Sequence, residues 1–199
     1  MRDRPSLLAL LAALGSLGGC SVTRGAPFDP ALVGQQKYLC CNMGFDVHYA
    51  ASDANYGQYG VRTHYAKVLA AGTKVTVTKV GASGIAFRAE GDPVEYTLLF
   101  AYGRNQLSAN QYFADVLRDT NPTESEPPAS GVIAIGLSEG QLVPGMTRAQ
   151  ALLTRGYPPA HQTTSLDANV WVYYETPHFV DRVVFVDGRI ESITRGPAP

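Results

Sequence analysis

The C-terminal third of the chain is organised around residues 145–158, which read GMTRAQALLTRGYP. Thr147 can cap a helix that begins at Arg148, because a threonine side chain accepts a hydrogen bond from the first helical turn. Gly156 ends this helix, and the two prolines that follow prevent it from continuing. The stretch therefore predicts a helix from Arg148 to about Arg155. Its buried stripe is predicted to consist of Ala149, Leu152 and Leu153.

Three predicted strands follow this helix, at residues 168–175, 182–186 and 189–194. Asp187-Gly188 separates the last two and is the strongest short signal for a β-hairpin. A short helix is predicted before the central stretch, from Ser138 to Val143. Two helices on one face of a three-stranded antiparallel meander form an α+β layer.

These segments together resemble a known domain family. The resemblance rests on the central stretch, on the residues 183–190 (VVFVDGRI), and on four residues between them: Asp167, Trp171, Tyr173 and Tyr174. The pattern is similar to the SmpA/OmlA domain, the BamE-like fold of the small lipoprotein of the outer-membrane β-barrel assembly machine. It covers roughly residues 138–195. The resemblance implies a scaffold that binds a partner without catalysis. Simple members place this domain directly after their lipid tether, whereas residues 32–119 intervene here.

The intervening segment predicts a small β-rich roll or barrel with one helix. Alternating apolar and polar residues at 73–80, 85–89 and 94–100 predict a meander of three strands. One helix is predicted from Ser108 to Leu117, and its apolar stripe would cover the sheet. An earlier strand is also expected to cover the apolar face of this sheet. The covering side chains are predicted to be Val47, Tyr49, Tyr112, Phe113, Val116 and Leu117.

The N-terminus has the charged, apolar and small-residue order of a signal peptide. Arg2 and Arg4 precede an uncharged run at residues 6–17, which is too short for a stable membrane span of about 20 residues. Residues 17–20 read LGGC and resemble a lipobox, which implies cleavage before Cys20 and lipid on its thiol. By resemblance to Gram-negative lipoproteins, Ser21 implies transfer to the outer membrane. We therefore expect a lipid-anchored protein at the periplasmic face of the outer membrane.

Proline-rich stretches divide the mature chain. One follows Cys20, and the other runs from Asp119 to Ser130 without a large apolar residue. The predicted organisation is a signal peptide at 1–19, a tether at 20–31, the β-rich domain at 32–119, a linker at 120–135 and the BamE-like domain at 136–195.

Composition excludes several classes of partner. The 16 basic and 17 acidic side chains nearly balance. A balanced chain has no basic footprint for nucleic acid and no polybasic patch for anionic lipid. We therefore expect the membrane to be contacted through lipid on Cys20, with an envelope protein as the other partner and no nucleic acid.

The adjacent Cys40 and Cys41 allow three interpretations. They can alternate across a strand with one in the core and one outside, form a disulfide between neighbours, or leave a reactive or intermolecular thiol. Cysteine-dependent catalysis would pair Cys41 with His48 as nucleophile and base. A zinc site would add His64, but the spacing lacks a paired C-x-x-C pattern. No G-x-S-x-G, H-E-x-x-H or P-loop motif occurs, so we expect no catalytic residue, metal or cofactor.

Three functions remain as hypotheses. The first is a non-catalytic binding or scaffold module, in outer-membrane protein assembly or envelope integrity, whose aromatic side chains anchor a partner. The predicted anchors are Trp171, Tyr173, Tyr174 and Phe179, which could equally be ordinary cross-strand pairs. The second is a periplasmic carrier of lipid or a small ligand, with a pocket formed by Phe87, Tyr96 and Leu98. The third is a cysteine-dependent enzyme.

Overall fold

The computed structural model describes residues 28–52, 65–100, 107–176 and 178–199. The predicted signal peptide, Cys20, most of the predicted tether and His64 lie outside these residues. Within them the chain is mixed α+β, with three helices and eleven strands in three sheets. The α+β class is therefore confirmed.

The N-terminal half contains a six-stranded sheet in the order β3-β7-β6-β5-β1-β8. Its centre is the predicted antiparallel meander of β5, β6 and β7, while β3 joins β7 in parallel. A two-stranded sheet of β2 and β4 lies beside it. The strands are β1 (Gln36–Leu39), β2 (Met43–Phe45), β3 (Ala50–Ser52), β4 (Lys67–Leu69), β5 (Lys74–Val80), β6 (Gly84–Ala89), β7 (Glu95–Leu99) and β8 (Leu117–Arg118).

Helix α1 (Ala109–Val116) covers the apolar face of this sheet. Ser108 caps it by accepting a hydrogen bond from the Gln111 N–H at 3.2 Å. The whole predicted stripe of this helix is buried in the core: Tyr112, Phe113, Val116 and Leu117. The predicted cover from Val47 is wrong, because Val47 lies in a turn and is 74% exposed. Tyr49 also lies outside a strand, but its ring is 5.7 Å from that of the buried Tyr96. Met43 and Phe45 of β2 are buried in the core instead.

The fold begins earlier than the sequence predicted. Phe28 is buried in the N-terminal core, with its ring centroid 4.4 Å from that of Phe113. A 3-10 turn at Pro30–Leu32 follows, and the Asp29 side chain caps it. The tether predicted for residues 20–31 therefore ends before Phe28. Phe28 and the partly buried Leu32 both pack against the core and hold this segment on the sheet.

The C-terminal half contains two helices and a three-stranded antiparallel meander in the order β11-β10-β9. The elements are α2 (Gly131–Glu139), α3 (Arg148–Arg155), β9 (Val170–Thr176), β10 (Phe179–Val186) and β11 (Arg189–Pro197). The hairpin at Asp187-Gly188 is confirmed. Both residues have positive φ, 49° and 75°, as a two-residue turn between twisted strands requires.

The position of helix α2 differs from two predictions. The short helix predicted from Ser138 to Val143 lies instead at Gly131–Glu139, and it occupies the end of the predicted linker 120–135. Gly140 ends the helix in the left-handed region, with φ of 66°. Two glycines and several β-branched residues weaken the intrinsic helix preference of this segment. Its packing against the rest of the C-terminal half determines the helix.

Helix α3 has the predicted start and stop. Thr147 and Gln150 form a reciprocal capping box, and Gly156 follows the last turn with φ of 71°. The buried stripe differs from the prediction, because Ala151 and Thr154 are buried while Ala149 is half-exposed. The core that this helix shares with the sheet contains Leu142, Met146, Ala151, Trp171, Tyr173, Val183, Phe185 and Ile190.

Candidate functional site

Asn42 connects the two halves of the chain. It is buried, immediately before β2, and its backbone N–H donates to the Leu153 carbonyl in α3 at 2.8 Å. Its side-chain Nδ2 donates to the Leu137 carbonyl in α2 at 2.6 Å. Its Oδ1 accepts from the Ala71 N–H, in the turn after β4, at 2.9 Å. One residue therefore fixes two helices of the C-terminal half against a turn of the N-terminal half.

Tyr157 makes a second connection between the halves. It follows α3 in sequence, yet its ring packs against the core of the N-terminal half. Its hydroxyl accepts a hydrogen bond from Arg118 Nη1 at 3.4 Å. Burial raises the pKa of the Tyr157 hydroxyl, in agreement with its position between the two halves.

A cleft of about 590 Å³ lies at this junction. This volume falls within the range of roughly 300–1,000 Å³ that is usual for ligand pockets. Three walls enclose it: the region of β4, the proline-rich segment before α2, and the helices α2 and α3. The lining side chains are predominantly apolar and include Val68, Ala71, Pro127, Pro128, Ala134, Leu137 and Leu153. Polar groups enter the lining through Asn42, Thr123, Glu126 and Ser138.

The outer side of α2 carries two large apolar side chains that are exposed. Val132 is 62% exposed and Ile135 is 56% exposed, one turn apart on the same side of the helix. Ala134 and Leu137 point away from this pair and line the cleft, and Ser138, which also lines it, lies between Ala134 and Ile135 around the helix. The two polar side chains of the helix, Ser138 and Glu139, lie on the same side as Val132 and Ile135. Helix α2 still presents apolar surface that the described part of this chain does not cover.

The cleft has a carboxylate on its lining and lies in an acidic part of the sequence. Residues 119–147 contain four acidic side chains and no lysine or arginine, and of these four Asp119 is paired with Lys37 away from the cleft. Glu126 lines the cleft itself, where its Oε2 accepts from the Thr147 hydroxyl at 3.4 Å. The proline-rich wall and α2 therefore carry negative charge beside apolar surface.

Two of the four predicted partner anchors belong to the core. Trp171 and Tyr173 are buried, because both occupy inward positions of β9 beneath the helices. The Tyr173 hydroxyl donates to the Gly156 carbonyl at 2.9 Å, and burial raises its pKa. Their prediction as interface residues is wrong. Tyr174 is half-buried and Phe179 is 49% exposed, so for these two the prediction stands untested.

A buried charge cluster in the C-terminal half has no counterpart in the sequence prediction. Arg155, at the end of α3, is buried and contacts Glu175 at 3.2 Å and Asp181 at 3.4 Å. Its Nη2 also donates to the Tyr174 carbonyl at 3.1 Å. The more exposed Arg195 contacts Asp181 at 2.9 Å, and this pair raises the pKa of the Arg195 guanidinium. The four charges balance, which favours a role in holding α3 on the sheet.

The two cysteines are both buried and joined by a disulfide between neighbours. The interpretation that places one inside and one outside is therefore wrong, and the disulfide alternative describes the structure. His48 lies in an exposed turn, while Cys41 is completely buried with its sulfur bonded to Cys40. The predicted pairing of Cys41 with His48 is not found. Across the residues that the structure describes, no group of three or more histidine, cysteine, aspartate and glutamate side chains could hold a metal ion.

The predicted ligand pocket in the β-rich half is filled with side chains. Phe87, Tyr96 and Leu98 are all completely buried. The rings of Phe87 and Tyr96 stack at 5.8 Å, and the Phe45 ring lies 4.8 Å from that of Tyr96. These three residues form the core of the half, so the carrier hypothesis is wrong in the place where the sequence located it.

Comparisons with models of known protein families, with curated proteins and with solved structures give no match. The resemblance of residues 138–195 to the SmpA/OmlA domain therefore stays a prediction. Within the described ranges, no helix is long and apolar enough to cross a membrane.

Proposed function

We propose that this protein is a lipid-anchored lipoprotein of the outer membrane that acts as a non-catalytic binding or scaffold module. The observation that carries the proposal is the order of residues 1–20, with basic residues, a short apolar run and LGGC. Several acyl chains on Cys20 would hold the chain firmly, because each buried methylene contributes about 0.8 kcal/mol. The partner would be an envelope protein reached from the periplasmic face.

The cleft at Asn42 and the exposed side of α2 support a binding role. Exposed apolar surface beside a preformed groove is typical of interaction sites. The balanced charge cluster around Arg155 has a structural explanation, and Cys41 is buried, bonded to Cys40 and not paired with His48. We assign neither of them to catalysis.

The proposal includes a specific architecture for each half of the protein. Under it, the six-stranded sheet and α1 form a small roll that separates the lipid anchor from the second half. The second half would be a BamE-like domain, supported by the order of two helices followed by a three-stranded meander. A role in outer-membrane protein assembly or envelope integrity follows from that resemblance alone.

Acyl labelling tests the anchor. Cells fed an alkyne analogue of palmitate should label the native protein, and Cys20→Ser should abolish the label and release the protein from membranes. Thr23→Ala, which leaves the LGGC motif intact, is the matched control and should keep both properties. Ser21→Asp should retain the label and move the protein from the outer to the inner membrane. Labelling of the Cys20→Ser variant would refute the proposal.

A second candidate is the binding of a small apolar ligand, which the volume and lining of the cleft favour. In this form the ligand would occupy the junction of the two halves, and the sheet core would have no part in binding. Native mass spectrometry of the protein purified from envelopes tests it. A bound mass that disappears in an Ala134→Trp variant would support ligand binding, and a protein without added mass would count against it.

A further inference from the structure

We propose that the cleft and the exposed side of α2 together dock a protein segment whose apolar side chains are flanked by lysine or arginine. This inference rests on the proposed binding function and names the chemistry of the partner. The residues that carry it are Val132, Ala134 and Ile135 on α2, Val68 on the opposite wall, and Glu126 on the lining.

The apolar lining of the cleft lies close to the exposed apolar side chains of α2. Ala134, Leu137 and Ser138 line the cleft, and Ile135, which is 56% exposed, lies one turn from Ser138 on the helix surface. Val68 on the opposite wall is also exposed. A segment that lies across the cleft can insert one side chain between the walls and rest others on α2. This arrangement of a buried anchor within a wider apolar contact is typical of protein interfaces.

The negative charge at the cleft favours a partner segment with basic side chains. Glu126 lines the cleft, and Glu124 and Glu139 lie in the same stretch of sequence with no basic residue between them, whereas the Asp119 carboxylate is paired with Lys37. The basic residue next to Val68 is Lys67, and it is engaged with Asp92 at 3.4 Å. A segment with lysine or arginine beside its apolar residues would therefore find opposite charge at the rim. An acidic segment or an anionic lipid surface would meet like charge.

The walls are already in place, which lowers the cost of binding. Asn42 bonds to both helices and to the turn after β4, so the width of the cleft is fixed by three hydrogen bonds. Pro127 and Pro128 stiffen the third wall, because proline fixes one backbone torsion. A preformed groove loses little conformational entropy when it is occupied.

Two labelled helical peptides test the proposal against the purified full-length protein. Both carry leucines at the same positions, and the remaining positions are lysine in one and glutamate in the other. Fluorescence anisotropy at low salt should show that the lysine peptide binds at least about tenfold more tightly, with an affinity that falls as salt rises.

Variants locate the binding on the molecule. Ala134→Trp fills the cleft and should weaken the lysine peptide by about tenfold. Glu126→Gln should reduce the salt dependence of binding. The controls are Val186→Trp and Glu191→Gln, two exposed positions at the hairpin end of the meander, and both should bind as the native protein does. If Ala134→Trp fails to fold, Ile135→Arg at its exposed position tests the same surface.

Several outcomes would overturn the proposal. Equal binding of both peptides would contradict the predicted preference for a basic partner. Unchanged binding by Ala134→Trp and Ile135→Arg would show that the peptide does not bind at the cleft or at α2. Binding to phosphatidylglycerol vesicles that requires Val132 and Ile135, without peptide binding, would assign the surface to lipid. Binding of neither peptide would also refute it. None of these outcomes affects acyl labelling of Cys20, so a failure here is distinct from a failure of the proposed anchor.

Discussion

Arg155 shows at the scale of one residue how the C-terminal half is held together. Its guanidinium is buried between α3 and the sheet, within reach of Glu175 and Asp181, and it lies over the Tyr173 ring at 5.4 Å. A buried pair contributes little relative to an apolar replacement of both partners. Removal of one partner is costly, because it leaves the other charge uncompensated.

We predict that Arg155→Leu destabilises the protein by about 3 kcal/mol. The free energy of unfolding from urea titrations gives the measurement. Arg182→Leu is the control, since Arg182 is exposed on the adjacent strand and should change stability by less than about 0.5 kcal/mol. Equal effects of the two substitutions would show that the buried cluster has no special role.

Asp92 gives a prediction for acid pH. Hydrogen bonds from the Tyr96 hydroxyl at 2.7 Å and the Val94 N–H at 3.0 Å lower the pKa of its carboxyl below the ordinary 3.8, with Tyr96 the largest cause. The folded pKa is therefore below the unfolded one. The stabilisation is present in full above the unfolded pKa, and it is lost as pH falls through the folded pKa.

We predict that Tyr96→Phe raises the pKa of Asp92 toward 3.8, because the ring stays buried while the hydroxyl donor is lost. A carboxyl NMR titration of the folded protein measures this pKa directly. Tyr38→Phe, at a half-exposed position in β1, should leave it unchanged. A titration curve for Asp92 that is identical in native protein and Tyr96→Phe would contradict the assignment.

Sequence patterns predicted the position of a side chain in a helix or strand better than they predicted whether that side chain faces the core or solvent. The caps at Ser108 and Thr147 depend on neighbours within four residues, so local sequence was sufficient to predict them. Trp171 and Tyr173 were correctly placed on one face of a strand. Whether that face meets helices or solvent depends on packing between distant segments, and strand alternation alone does not contain that information.

At the scale of elements, α2 has the weakest sequence signal of the three described helices, and it contributes both to the cleft wall and to the exposed apolar surface. Its buried contact is at Gly136, where an added methyl group would lie 2.6 Å from the Gln141 carbonyl oxygen and 2.8 Å from Met146 Cε. A glycine at this point allows the helix to approach the chain that follows it. The same closeness sets the position of Ala134 and Leu137 in the cleft wall.

We predict that Gly136→Ala destabilises the protein although alanine favours a helix by about 1 kcal/mol. The clash with backbone should outweigh that gain, since overpacking of a core costs about 1–3 kcal/mol. Ser138→Ala, at an exposed position of the same helix, is the control and should change stability by less than about 0.5 kcal/mol. An increase in the melting temperature of Gly136→Ala would show that the contact is loose.

The meander strands, the hairpin and two of the three helices followed from sequence because each has strong local signals. Helix α2 did not, because its glycines and β-branched residues give it no clear period and its start is marked only by Ser130 after the prolines. From the sequence, the disulfide between Cys40 and Cys41 was one of three alternatives. Two adjacent cysteines have the same pattern whether they bond to each other or alternate across a strand.

At the scale of the whole molecule, Asn42 makes the two halves one unit. The sequence predicted a linker between two domains at residues 120–135, and a polar residue before a short strand gave no reason to expect a junction. The cleft could not be predicted at all, since its walls come from segments that are far apart in the chain.

We predict that Asn42→Ala uncouples the halves. The substitution leaves the Leu137 carbonyl and the Ala71 N–H without this partner, which should cost about 2 kcal/mol or more. In the native protein, the fluorescence of Trp171 and far-ultraviolet circular dichroism should report one coincident unfolding transition. In the variant the two should separate.

Asn110→Ala, at an exposed position on α1, is the control and should retain a coincident transition. Separate transitions in the native protein would contradict the account of one unit. Coincident transitions in Asn42→Ala at unchanged stability would show that Asn42 does not couple the halves.

The proposed attachment of this two-part module to a membrane is lipid on Cys20, and intact mass spectrometry of the protein purified from envelopes tests it most directly. We predict a mature chain that begins at Cys20 and carries acyl chains on that residue. A chain that retains residues 1–19, or one that begins at Cys20 without added lipid, would contradict it.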